Sequence, residues 1–312
     1  MLMLPPCLVS WIRARTVILL GTHPSPPLHK LKFSLFTHTR AQAGESPCEL
    51  RMQHLWSTYK FRCSCRACQS PRSTDALRSA LLCPSCSASS CQLGTSNCSA
   101  ALEPLKCGAY LPPPELLPLC SLDPPPPPQQ QQCAPAACCS CGTVILPQAL
   151  AGVVRDLQGA LHACALAECM VAQLSLGPAS GTPEGQRQAK RALSLSYDGL
   201  SVCARLLHPK NLQLGALHHD AGKVAAAAAA LGAASHRTAA ELFRCSYSTL
   251  AHHYPPSSPQ LAFELALVGA CEELAEGLSR SESTQQAEHI IYLHFGLEGV
   301  SAARAYCKQQ LG

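Results

Sequence analysis

Three short cysteine spacings limit what this chain can fold into more than any other feature. Cys63-Ser64-Cys65-Arg66-Ala67-Cys68 places three thiols in a C-x-C-x-x-C run. Cys83-Pro84-Ser85-Cys86 and Cys138-Cys139-Ser140-Cys141 are C-x-x-C pairs, the second followed by Gly142. Thiolates this close in sequence converge on one zinc ion, which takes four ligands at about 2.3 Å. The chain carries 21 cysteines, crowded between positions 48 and 141. A short secreted chain uses such density for disulfides, but vicinal pairs suit zinc in a reducing compartment better. The expectation is an intracellular protein, cytoplasmic or nuclear.

Each cluster raises its own question of completeness. Cys63, Cys65 and Cys68 supply three ligands of a zinc site and need a fourth, for which Cys48 is near in sequence. Cys83 and Cys86 read as one half of a zinc-ribbon-like site, with Cys138 and Cys141 as the other half. Gly142 lets backbone amides approach the sulfurs. The spacer between the two pairs exceeds the usual 15–20 residues. It holds Cys98 and Cys107, which read as ordinary thiols or as competing ligands. It ends in five prolines at 124–128 and four glutamines at 129–132. A polyproline II run leading into a polar tract buries no core, so this stretch is a linker or insert loop.

Beyond Pro147 the composition changes, and Leu and Ala recur at helical spacing. Leu150, Val154, Leu157, Leu161 and Cys164 predict an amphipathic helix to about Leu176. Gly177-Pro178 and Gly181-Thr182-Pro183 break it. Further helices are predicted over 186–207, 214–231, 235–253, 261–278 and 283–293, with a last one over 301–310 that caps the set. His208-Pro209-Lys210-Asn211 and Tyr254-Pro255-Pro256 each precede an Ala/Leu-rich helix and a partner helix. Helix pairs recurring at somewhat over forty residues are the pattern of a tetratricopeptide-like repeat array. Ala225 to Ala230 suit close helix packing. His218, His219, His236, His252 and His253 read as exposed or half-buried helix residues rather than metal ligands.

The rest of the composition excludes more than it assigns. Hydrophobic residues make up 47% and charged residues 14%, and the net charge of +5 is spread without a dense Lys/Arg stripe. Nucleic-acid binding is therefore not implied. The apolar runs before Gly21 are split by Arg13 and Arg15, the wrong order for a secretory signal. No window reaches the roughly 20 apolar residues of a membrane span. Residues 1–45 show no lasting period and read as a disordered or non-native leader. A short helix is predicted over 49–59.

With these motifs laid out, the chain resembles the C-terminal part of the SET-and-MYND-domain family of protein-lysine methyltransferases. Tyr59-x-Phe61-x-Cys63-x-Cys65-x-x-Cys68 is similar to the family's post-SET motif. The cysteine-rich insert 83–141 resembles the segment that follows it. Leu207-His208-Pro209-x-Asn211-x-x-Leu214-Gly215 and the helices around it resemble the C-terminal tetratricopeptide-like domain. The resemblance implies a mainly α architecture: a leader over 1–45, a post-SET-like zinc segment over 46–70, an insert over 71–146 and a helical array over 147–312.

It also implies a function. The family moves a methyl group from S-adenosylmethionine to lysine side chains, and Phe61 matches the aromatic segment that closes over the cofactor. The family's fourth post-SET zinc ligand comes from its SET core, beside an Asn-His motif. This sequence holds no Asn-His dipeptide, no MYND cysteine-and-histidine pattern and no run of strands for a SET core. The expectation is zinc as the bound cofactor, S-adenosylmethionine only in the full-length relative, no catalytic residue in this chain, and a protein substrate or partner held by the helical domain. The alternative is a non-catalytic zinc-binding and tetratricopeptide-like interaction module.

Overall fold

The computed structural model describes residues 77–83, 85, 109–110, 136–138, 141–176 and 182–311. The expected leader, the 49–59 helix and the C-x-C-x-x-C run lie outside these residues. The architecture is mainly helical. Two tiny antiparallel sheets precede the helices: β1 (Leu81–Leu82) pairs with β2 (Ala109–Tyr110), and β3 (Ala136–Ala137) with β4 (Val144–Ile145). Among the described residues six helices follow: α1 (Pro147–Leu176), α2 (Pro183–Leu206), α3 (Leu212–Ala230), α4 (His236–Ala251), α5 (Pro259–Glu276) and α6 (Glu282–Leu311). Each packs on the next in sequence, and α3 also meets α1 and α6.

Capping side chains fix where the helices start. Thr182, Asn211, Ser235 and Ser258 each accept a hydrogen bond from a first-turn amide of α2, α3, α4 and α5. Each such cap contributes about 1 kcal/mol. Three starts differ from the sequence expectation, that of α3 by lying at 212 rather than 214 and the other two at prolines. Thr182-Pro183 reads as a breaker and the later helix is expected only from Leu261, yet proline opens both helices, because the first turn has no use for the missing N–H. So α2 and α5 begin at 183 and 259 rather than 186 and 261.

One glycine lets the two helices of each successive pair approach. A Cβ on Gly199 of α2 would lie 2.7 Å from the Ala160 carbonyl and from Cys164 Sγ. On Gly222 of α3 it would lie 2.7 Å from the Phe243 ring of α4. On Gly269 of α5 it would lie 2.5 Å from the Thr284 amide of α6. Phe243 is fully buried on Gly222, and burial of such a side chain contributes about 1.5–3 kcal/mol. The alanine run of α3 behaves as expected, with Ala225, Ala226 and Ala228 fully buried.

The last two predicted helices occupy α6, which is bent at Gly296 (φ 65°, ψ −164°). Only glycine adopts that backbone readily. Glu288 and Arg304, 16 residues apart, are hydrogen-bonded. A straight helix would separate them by about 24 Å, so the two halves of α6 lie side by side.

The histidines are mostly as expected. His218, His219 and His236 are half-buried on helices, and His252 is exposed. His252 and His253 both lie past the end of α4, and the His253 Nε2–H donates to the Lys210 carbonyl.

Candidate metal centre

The β3–β4 hairpin shapes the first half of the site. The Cys138 amide donates to the Thr143 carbonyl at 2.9 Å, and the Gly142 amide donates to the Cys138 carbonyl at 2.9 Å. Gly142 takes φ 70° to close this turn, a conformation that favours glycine. The result holds Cys138 and Cys141 at the same end of the hairpin. Cys83, directly after β1, enters from the other side. Its Sγ lies 3.6 Å from Cys141 Sγ. The sulfurs of Cys83, Cys138 and Cys141 all lie within 4.8 Å of one another, an arrangement that could hold a metal ion.

Burial grades the three candidate ligands. Cys83 and Cys138 are buried, and Cys141 is exposed. Thr143 Oγ1 lies 3.0 Å from Cys141 Sγ and donates to Ser85 Oγ at 3.3 Å. These hydroxyls tie the hairpin to the Cys83 segment. The Sγ···Sγ separation is well beyond the roughly 2.05 Å of a disulfide. No disulfide occurs among the described cysteines.

The other buried thiols stand apart chemically. Burial pushes Cys164, Cys271 and Cys307 up to about 12, and Cys203 up to about 11. At neutral pH the free groups stay protonated, which makes them weak nucleophiles.

The loop between α2 and α3 fixes the Cys83 strand to the helices. Leu207 forms a β-bridge with Leu81. The His208 amide donates to the Ala80 carbonyl at 2.9 Å, and the Leu212 amide donates to the Arg78 carbonyl at 2.9 Å. Asn211, 2% exposed, caps α3 with its side-chain oxygen and donates its amide to the Ala80 carbonyl at 2.9 Å. On the far side, Thr249 Oγ1 donates to the Pro209 carbonyl, and His253 holds the Lys210 carbonyl. Burial lowers His253 to about 4, so this anchor is a neutral imidazole at physiological pH.

Of the expected ligands, the structure brings Cys83, Cys138 and Cys141 together. Phe61, Cys63, Cys65, Cys68 and Cys86 lie outside the described residues, as do Cys48, Cys98 and Cys107. Sequence reasoning missed Thr143 and Ser85, which have no signature of their own. It also missed the docking role of Asn211, although an Asn immediately before an apolar helical run is a cap signal. Among the described residues no helix is long and apolar enough to cross a membrane. No protein-family model matches the chain, and no curated protein matches it.

Proposed function

We propose that this chain is the zinc-stapled, partner-binding portion of an S-adenosylmethionine-dependent protein-lysine methyltransferase of the SET-and-MYND kind, without turnover of its own. The observation that carries the metal half is the 3.6 Å approach of Cys83 Sγ to Cys141 Sγ. Two thiolates on a tetrahedral zinc with 2.3 Å bonds lie about 3.8 Å apart. A soft all-sulfur donor set favours zinc over magnesium or calcium. Cys83, Cys138 and Cys141 supply three ligands, and Cys86, completing the first C-x-x-C pair, supplies the fourth. Cys63, Cys65 and Cys68 form a second, post-SET-like zinc site.

The helical half reads as a tetratricopeptide-like array that grips a protein substrate or partner. Its support is the succession of capped, glycine-crossed helix pairs. The methyltransferase part rests on the resemblance of the Tyr59 to Cys68 stretch. Methyl transfer needs donor and lysine held in line. With no Asn-His motif in the sequence, Phe61 has no cofactor floor to close over.

Metal analysis of the purified chain tests the staple. Cys138→Ser is expected to remove one equivalent of zinc, and unchanged stoichiometry would refute the site. Calorimetric titration with S-adenosylmethionine is expected to be flat, and micromolar binding would overturn the statement on turnover.

A second reading is a self-standing zinc-binding interaction module with no link to methyl transfer. The direct bonding of the Cys83 strand to the α2–α3 loop favours it, because the staple then serves the helices themselves. Chelation that weakens partner capture by the full chain, with no dependence on S-adenosylmethionine, supports this reading.

A further inference from the structure

The bend at Gly296 sends the last part of α6 to an unexpected place. A terminal capping helix needs only to cover the last helix pair, here α5 and the first half of α6. Instead α6 also packs against α3, which belongs to the preceding pair. Tyr306, in the second half of α6, lies within electrostatic reach of Lys223 and Asp220 on α3. The Tyr306 ring meets Phe263 of α5 edge-on at 6.1 Å. Burial pushes its phenol up to about 12, and its charged neighbours are Lys223 and Asp220 of α3 and Glu264 of α5. Cys307 and Leu311 are buried in the same apolar cluster as Leu217 and Ala221 of α3 and Cys271 of α5. His219 of α3 lies 2.7 Å from Glu264 of α5, joining the two walls.

The segment is built to fold back and is held by few polar contacts. Gly296 supplies the positive φ. Gly299 allows the tight return, since a Cβ there would lie 2.3 Å from Phe295 Cβ. Glu288, itself buried, bonds Arg304 through both oxygens and also meets Arg280. Arg304 and Arg280 keep the Glu288 carboxyl below its ordinary range. Gly299, Ala303, Cys307 and Leu311 are the buried positions, every fourth residue along one face. That is the pattern of an amphipathic helix lying in a groove.

We infer that residues 297–311 are an intramolecular ligand of the groove between α3 and α5, hinged at Gly296 and latched by Arg304 on Glu288. The groove takes a short amphipathic helix with small residues on its buried face and an aromatic beside them. A partner helix of this kind gains access only when the segment leaves. This consequence rests on the partner-binding reading above, whereas the hinge and latch do not.

The test uses the full chain and its own segment as a labelled synthetic peptide, so its outcome is independent of any partner. Arg304→Glu breaks the latch and sets two carboxylates against each other. Hydrogen exchange over 297–311 is expected to rise about five- to tenfold, as fits loss of a partly exposed ion pair. Protection in α1 to α5 should stay unchanged, and the labelled peptide should bind more tightly by the same factor. A Gly-Ser-Gly insertion after Gly296 leaves every contact in place but lowers the effective concentration of the segment. It should raise peptide binding without an Arg304 change. Loss of protection in α5 together with 297–311 would make the segment an ordinary part of the core and overturn the inference. Equal peptide affinity for wild type and both variants would also overturn it.

Discussion

Asn211 offers the sharpest test of how the cysteine segment is held. Its side chain does two jobs with two atoms. The oxygen accepts from the Gln213 amide at 2.8 Å and caps α3, while the amide donates to the Ala80 carbonyl at 2.9 Å. Asn211→Ala removes both. Loss of a cap costs about 1 kcal/mol. Loss of a buried hydrogen bond costs about another 1 kcal/mol. The Ala80 carbonyl retains the His208 amide as a donor, which keeps the second term near that value. The expected total is about 2 kcal/mol. Asn211→Ser should recover the cap but not the reach to Ala80, and so lose about 1 kcal/mol. Asn211→Asp also caps but sets a carboxylate against that carbonyl, and should be worse than Ser. Urea unfolding measures the series, and hydrogen exchange at 80–83 locates the effect. Because Cys83 follows this strand, the Ser variant should also weaken metal binding about fivefold, the equivalent of 1 kcal/mol. An Ala variant within 0.5 kcal/mol of wild type, or Ser equal to Ala, would refute the two-job account.

Three further outcomes follow from the same structure. The folded pKa of His253 is about 4 against 6.5 unfolded, so its share of stability is full above pH 6.5 and lost as pH falls toward 4; the span is up to about 3 kcal/mol, reduced to roughly half by partial solvent exposure. Urea unfolding of wild type and His253→Gln at pH 7.5 and 5.0 should show a smaller pH effect in the variant, and parallel curves would sink the assignment. Gly222→Ala forces a Cβ to 2.7 Å from Phe243 and should lose about 1–3 kcal/mol, read as a lower melting temperature; an unchanged value would mean that the α3–α4 crossing is loose. Chelation should strip exchange protection from 80–83 and 141–145 while leaving the far-ultraviolet helical signal, and a parallel loss of both would show that the helices depend on the metal.

Much of this arrangement was legible in the sequence, for identifiable reasons. Helical periodicity is a local signal, and it located the helices from Pro147 onward to within a few residues, although it divided α6 into two. The pairing of Cys83 with Cys138 and Cys141 was legible because C-x-x-C turns carry their own geometry. The helix starts at Pro183 and Pro259 were obscured, because proline both ends and opens helices and only the preceding Thr182 or Ser258 tells the cases apart. The docking of Ala80 onto Asn211, 131 residues away in sequence, left no local pattern at all. Nor did the return of α6 onto α3. The sequence placed a gap between helices over 283–293 and 301–310, but the direction taken after Gly296 depends also on Phe263 and Lys223, which lie far from the glycine in sequence.

The gap between the two halves of the candidate metal site has a consequence for how the chain varies. Cys83 and Cys141 are 58 residues apart, yet both are fixed at their own ends, one by the α2–α3 loop and the other by the β3–β4 hairpin. A gain or loss within the proline and glutamine tracts at 124–132 leaves the spacing within each cysteine turn unchanged. A single residue gained or lost between Cys138 and Cys141, by contrast, moves a sulfur out of reach.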